Sequence, residues 1–81
     1  MSIRVLFFAS LADIVGVRER TLEPAEVSDV ISIFNRFAVE FPAMEAHRSS
    51  VLFALNSEFA RSSSKVADGD EVAFLPPVSG G

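Results

Sequence analysis

The sequence predicts an α+β domain in which one helix packs across one face of a mixed sheet of about five strands. Apolar residues at 27, 30, 31, 34, 37, 38 and 41 recur at the spacing of an amphipathic helix. Short runs rich in β-branched and aromatic residues, IRVLFFA at 3–9 and EVAFL at 71–75, read as strands near the two ends of the chain. The 81 residues, 49% hydrophobic with eight phenylalanines and 22% charged, suffice for one hydrophobic core and not for two.

The elements follow in order. In the first strand Ile3, Val5, Phe7 and Ala9 share one wholly apolar face, which is expected to meet the core, while Arg4, Leu6, Phe8 and Ser10 share the other. LADIVG reads as a loop that turns at Gly16, and VRERTLE at 17–23 as a second strand, close enough for an antiparallel hairpin. Pro24 breaks that strand. The helix spans Val27 to Phe41, with Glu26 and Asp29 near its start, where the helix dipole favours carboxylates, and Pro42 limiting its end.

AMEAHRSS has no clean period and reads as a connection. VLFALN at 51–56 is a nearly continuous apolar run suited to an interior strand, and a short strand lies around Glu58 to Ala60. RSSSK is a polar loop, and Asp68-Gly69-Asp70 is turn chemistry that leads into the last strand, Glu71 to Leu75. The order β, β, α, β, short β, β is that of the β-grasp, or ubiquitin-like, architecture. The domain is expected over residues 1–75, with residues 76–81 as an extended, flexible C-terminal tail.

Composition excludes several kinds of function. Seven Lys and Arg against eleven Asp and Glu make the net charge −4, opposite to what binding a phosphate backbone requires, so no nucleic-acid partner is expected. With no cysteine there is no disulfide framework, thiolate metal site or catalytic thiol. No apolar stretch reaches the length of a membrane span, so the expected location is cytoplasmic and no membrane partner is expected. DGDE at 68–71 lacks the further oxygen ligands of a cation loop and reads as a surface turn, so no metal is assigned. His47, the only histidine, has Ser49 and Ser50 near it in sequence but no nucleophile elbow, and reads as an exposed loop residue.

Two features remain. If Leu6, Phe8, Phe59 and Leu75 all lie on the open face of the sheet, they form a contiguous apolar patch of the kind that marks an interaction surface. The last eight residues read FLPPVSGG. Pro76 and Pro77 lack N–H groups and hold φ near −65°, so they end strand pairing and launch a stiff segment. From Pro76 to Gly81 the chain spans at most about 20 Å, enough to enter a deep cleft in another protein. Gly80 and Gly81 carry no Cβ, which keeps the carboxylate end narrow and open to an attacking atom. At pH 7 that carboxylate is ionised and a poor electrophile, so it needs activation, for instance as an acyl adenylate. The chain has no phosphate-binding loop, so another protein must supply the ATP chemistry.

At these residues the sequence resembles the small, sulfur-carrier subunits of molybdopterin synthase. DGDEVAFLPPVSGG at 68–81 carries the resemblance almost residue for residue, and IRVLFFA and ALN at 54–56 are similar to the family's first and third strands. The resemblance implies that the protein is not an enzyme by itself. A partner related to ubiquitin-activating enzymes would use ATP to adenylate Gly81, which then becomes a thiocarboxylate; no cofactor is bound directly. The tail, Pro76, Pro77, Val78, Ser79, Gly80 and Gly81, would enter the active site of a large subunit. There the sulfur goes to a cyclic pyranopterin monophosphate to build the dithiolene that later holds molybdenum, within a heterotetramer of two small and two large subunits. Leu6, Phe8, Phe59, Phe74 and Leu75 are the expected partner interface. The zero cysteine count fits, since no internal thiol can take the carried sulfur. Two alternatives share the diglycine: a thiamine-pathway sulfur carrier and a ubiquitin-like protein modifier that forms isopeptide bonds through Gly81.

Overall fold

In the computed structural model, which describes residues 2–77, five strands form one sheet in the spatial order β2-β1-β5-β3-β4. They are β1 (Ile3–Phe7), β2 (Glu19–Leu22), β3 (Leu52–Leu55), β4 (Glu58–Ala60) and β5 (Glu71–Leu75). β1 and β2 pair antiparallel, β1 and β5 parallel, and β3 lies antiparallel between β5 and β4. This is the mixed sheet of the β-grasp, with β3 in the interior position that its unbroken apolar run suggests.

Two helices join the strands. The long one, α2 (Val30–Glu40), buries Val30, Ile33, Phe34, Phe37 and Ala38, the i, i+3, i+4 stripe that defines its core face. It begins three residues later than its apolar spacing suggests, and the cause is its cap. The Asp29 Oδ1 accepts from the Ser32 N–H at 3.0 Å, and the Ser32 Oγ accepts in return from the Asp29 N–H at 3.2 Å. Val27 is left extended after a 3-10 turn at Pro24–Glu26. The plain RSSSK loop completes the helix start: the Ser64 and Ser62 carbonyls accept from the N–H groups of Val30 and Ile31 at 3.0 and 2.9 Å. Asp29→Ala is expected to cost about 1 kcal/mol, read as a fall of about 4–8 °C in Tm for a domain of this size.

The shorter helix, α1 (Ser10–Val15), occupies the segment that reads as a loop in the sequence. Its six residues are too few to display a period, yet Leu11 and Val15, one turn apart, are both buried. Gly16 closes it at φ 88°, donating its N–H to the Ala12 carbonyl at 2.8 Å. Ala9 is the cost of inserting this helix. Expected on the core face of a longer strand, it is instead exposed beyond the end of β1 at φ 51°, where the chain turns out of the sheet. The connection after α2 is likewise structured, as 3-10 turns over Pro42–His47 that bury Met44.

The core lies between the sheet and α2. Strand alternation sends Ile3, Val5 and Phe7 of β1 and Val72 and Phe74 of β5 to the helix side, each at most 2% exposed. Phe74 is the hub: its ring centroid lies 5.6, 5.7 and 5.8 Å from those of Phe53, Phe34 and Phe7. On β2 the polar sequence VRERTLE divides in the same way. Leu22 is buried, while Arg20 lies over the Phe37 ring at 5.3 Å and holds both Glu40 carboxylate oxygens at 3.0 and 3.2 Å.

Candidate functional site

Among the described residues no helix covers the opposite face of the sheet. Register places Leu6 beside Ala73, Ala73 beside Ala54 and Ala54 beside Phe59, an apolar row across four strands. The two alanines in the middle and the larger side chains of Leu6, Phe8, Phe59 and Leu75 around them make the face concave, with a hollow of about 260 Å³. Phe59 is 81% exposed and Phe8 44%. Such an apolar surface on a small domain is characteristic of a protein contact. Its border toward the start of β1 is charged: Arg4 lies 3.4 Å from a Glu19 carboxylate oxygen and 3.2 Å from one of Glu71.

Of the five residues expected at a partner interface, Leu6, Phe8, Phe59 and Leu75 line this one hollow. Phe74 does not. It pairs with Phe7 on one side and Phe53 on the other, so it shares their helix-facing side and is fully buried. Apolar character alone could not separate Phe74 from Leu75; the period-2 alternation within β5 does. The sequence reading missed Ala54 and Ala73, whose small side chains create the depth, and only strand register reveals them.

The tail leaves from the edge of the hollow. The Phe8 N–H donates to the Phe74 carbonyl at 3.2 Å, next to the point where β5 ends at Leu75. Pro76, half-buried, and Pro77, exposed, follow directly. The remaining expected tail residues, Val78, Ser79, Gly80 and Gly81, the last expected to carry the reaction, lie outside the described residues.

The other polar candidates have structural partners. Asp70 Oδ2 accepts from the Ala67 N–H at 2.8 Å and Oδ1 from the Asn56 amide at 3.1 Å, while the Asn56 Oδ1 accepts from the Glu71 N–H at 2.9 Å. These bonds tie the β3–β4 turn to the start of β5. That turn places Asn56 and Ser57 at positive φ, 52° and 71°, as a two-residue hairpin turn requires. The Ala67 N–H first, and then Asn56, hold the Asp70 carboxyl below the usual aspartate range. Because its native pKa is depressed, its stabilisation is present above the unfolded value of about 4 and is lost as pH falls through the native value. Asp70→Asn is therefore expected to be less stable than the wild type near neutral pH and equal to it in strong acid, as read by urea titrations across pH. At His47 the neighbouring Ser50 hydroxyl donates to the backbone carbonyl at 3.4 Å, not to the imidazole. Among the described residues no helix is long and apolar enough to cross a membrane, and no group of three or more His, Asp or Glu could hold a metal ion.

A family model described as the ThiS family matches residues 5–81, from Val5 within β1 to the C-terminal Gly81. The chain belongs to the ThiS family. It is 39% identical over 83 residues to the molybdopterin synthase sulfur carrier subunit of Chlamydomonas reinhardtii, covering 100% of both chains. To the protein of the same description from Arabidopsis thaliana it is 37% identical over 81 residues, covering 100% of this chain and 84% of the relative. Among solved structures it resembles SAMP1, small archaeal modifier protein 1, of Haloferax volcanii, with a TM-score of 0.81, 29% identity and 100% of both chains covered. The solved structure thus shares this chain's fold, and the alignments with both sequence relatives cover 100% of this chain.

Proposed function

We propose that this chain is the sulfur-carrier subunit of a molybdopterin synthase, acting in the cytoplasm in molybdenum cofactor biosynthesis. The observation that carries the reading is the juxtaposition of an apolar, uncovered sheet face with the root of a Pro-Pro tail ending in diglycine. Full-length alignment with relatives described as molybdopterin synthase sulfur carrier subunits supports it.

The chemistry follows from the end group. The Gly81 carboxylate resists nucleophiles because it is anionic. An activating partner related to ubiquitin-activating enzymes removes that charge by letting a carboxylate oxygen attack the α-phosphate of ATP, which releases pyrophosphate and leaves an acyl adenylate. Hydrosulfide, as the sulfur nucleophile, then attacks the acyl carbon, the bond to AMP breaks, and the thiocarboxylate, AMP and a proton are left. In the large subunit that sulfur is transferred to a cyclic pyranopterin monophosphate, and two rounds complete the dithiolene within an assembly of two small and two large subunits. This chain supplies no acid, base or metal to these steps. It presents the reacting end at the tip of a slim tail and gives each partner the open face to hold, and binds no cofactor of its own.

The test is intact-mass spectrometry after incubation with the activating enzyme, ATP and a sulfur source. The expected product gains the mass difference between sulfur and oxygen at its C-terminus; an unchanged mass refutes the assignment. Phe59→Ala is expected to leave Tm unchanged, since surface substitutions stay within about 0.5 kcal/mol. It is expected to weaken large-subunit binding about tenfold or more if Phe59 anchors the contact, a difference that isothermal titration calorimetry reads directly.

The likeness to small archaeal modifier protein 1 favours a second reading, a protein modifier that forms isopeptide bonds through Gly81. Covalent adducts on cellular proteins, absent from a Gly81-deleted chain, distinguish it. A thiamine-pathway role would instead be marked by capture of a thiazole synthase.

A further inference from the structure

Phe8 divides the open face in two. On one side lies the hollow already described; on the other, between the end of β1 and α1, is a notch walled by Leu6 and Phe8, floored by Ala9 and Ala12 and rimmed by Arg18. Leu6 and Phe8 line both, so hollow and notch form one continuous surface. Phe7 completes the lining, so apart from Arg18 every side chain at the notch is apolar, and the two alanines leave room for a side chain from outside.

Arg18 differs from four of the five other arginines; Arg61, like it, has no carboxylate partner among the described residues, but lines neither hollow nor notch. Arg4, Arg20, Arg36 and Arg48 each lie within 3.4 Å of a glutamate oxygen. The exposed Arg18 guanidinium has no such carboxylate and makes no side-chain hydrogen bond among the described residues. Its backbone is nevertheless held, because the Arg18 carbonyl accepts from the Phe7 N–H at 2.9 Å at the root of the β1–β2 pairing. An exposed cation with no carboxylate partner among the described residues thus stands beside an apolar notch on a chain of net charge −4. Charge complementarity identifies what completes it: a carboxylate, which the planar guanidinium can hold through two parallel hydrogen bonds once water is excluded.

We propose that the notch takes an aspartate or glutamate side chain of the large subunit, adjacent to an apolar residue of that subunit which enters the hollow across Phe8. This inference rests on the reading that a large subunit covers the open face. It adds a polar, register-setting contact at the end of the surface away from Glu71, where the other lining residues are apolar and therefore poorly directional. Arg18 acts as a rim charge, affecting encounter rate and salt dependence more than packing.

The experiment measures binding of the full chain to the purified large subunit at low and high salt. Arg18→Ala is expected to weaken Kd about tenfold at low salt and to flatten its salt dependence, with Arg18→Glu weaker by about another tenfold. Arg18→Lys is expected to keep the salt dependence and part of the affinity, because it retains the charge but not the fork. All three variants should melt as the wild type does, since the side chain makes no internal bond that would be lost. Variants that bind as tightly as the wild type, with the same salt dependence, overturn the proposal. A wild-type chain that binds the large subunit not at all overturns the functional reading and this contact with it. A wild-type chain that dimerises by itself, and that Arg18→Glu makes monomeric, overturns it in favour of a second copy as the occupant.

Discussion

A chain that stops at Gly80 is expected to fold with the stability of the full chain and to transfer no sulfur. The reasons are separate. Among the described residues the buried core lies between Ile3 and Phe74, β5 ends at Leu75, and a glycine has no side chain to contribute. Removing the last residue therefore takes no apolar area from the core. The new terminus, however, is one residue shorter, up to about 3.5 Å along an extended chain. Reacting groups must come within about 3–3.5 Å of each other, and a 1 Å misplacement can cost about a hundredfold in rate. The measurement pairs a thermal melt with the mass assay for the thiocarboxylate and a single-turnover transfer to the pterin substrate. Retained transfer by the shortened chain would refute a role for Gly81 as the reacting residue.

Phe74→Ala is expected to have the opposite phenotype, a destabilised fold in which any loss of activity follows from unfolding. Phe74 is fully buried and packs against Phe7, Phe34 and Phe53. Truncating a core phenylalanine costs about 3–5 kcal/mol. A domain of this size has a total stability of about 4–12 kcal/mol, from about 0.05–0.15 kcal/mol per residue, so the substitution removes a large share. Urea denaturation should show a much lower midpoint with an unchanged slope. Leu75→Ala, one residue on, is expected to cost far less stability and to act on partner binding. If the two substitutions destabilised equally, the assignment of Phe74 to the core and Leu75 to the open face would fail.

This neighbouring pair shows how far the chain is legible before it is folded. The strands at 71–75 and 58–60 and the apolar stripe of α2 are local signals, and the structure has them where the residues place them. The tail signature is legible for the same reason: prolines and glycines act through their own covalent geometry. α1 was not legible, because six residues hold too little of a helical period and its stability comes from burying Leu11 and Val15. The start of α2 was misplaced because apolar spacing runs through Val27, whereas the reciprocal bonds of Asp29 and Ser32 decide where the helix begins.

By itself, then, the sequence determined the class of fold, the core face of β1 at Ile3, Val5 and Phe7, and the residue types at the C-terminus. Those depend on residue identity and on interactions between near neighbours in the chain. Only the tertiary structure decided that Leu6, Ala73, Ala54 and Phe59 stand in one row, that Phe74 lies beneath it, and that Arg18 stands at its border. Each of these depends on which strands pair and in what register. Register is set by the burial of a whole sheet face against α2, a long-range interaction that no local stretch of residues contains.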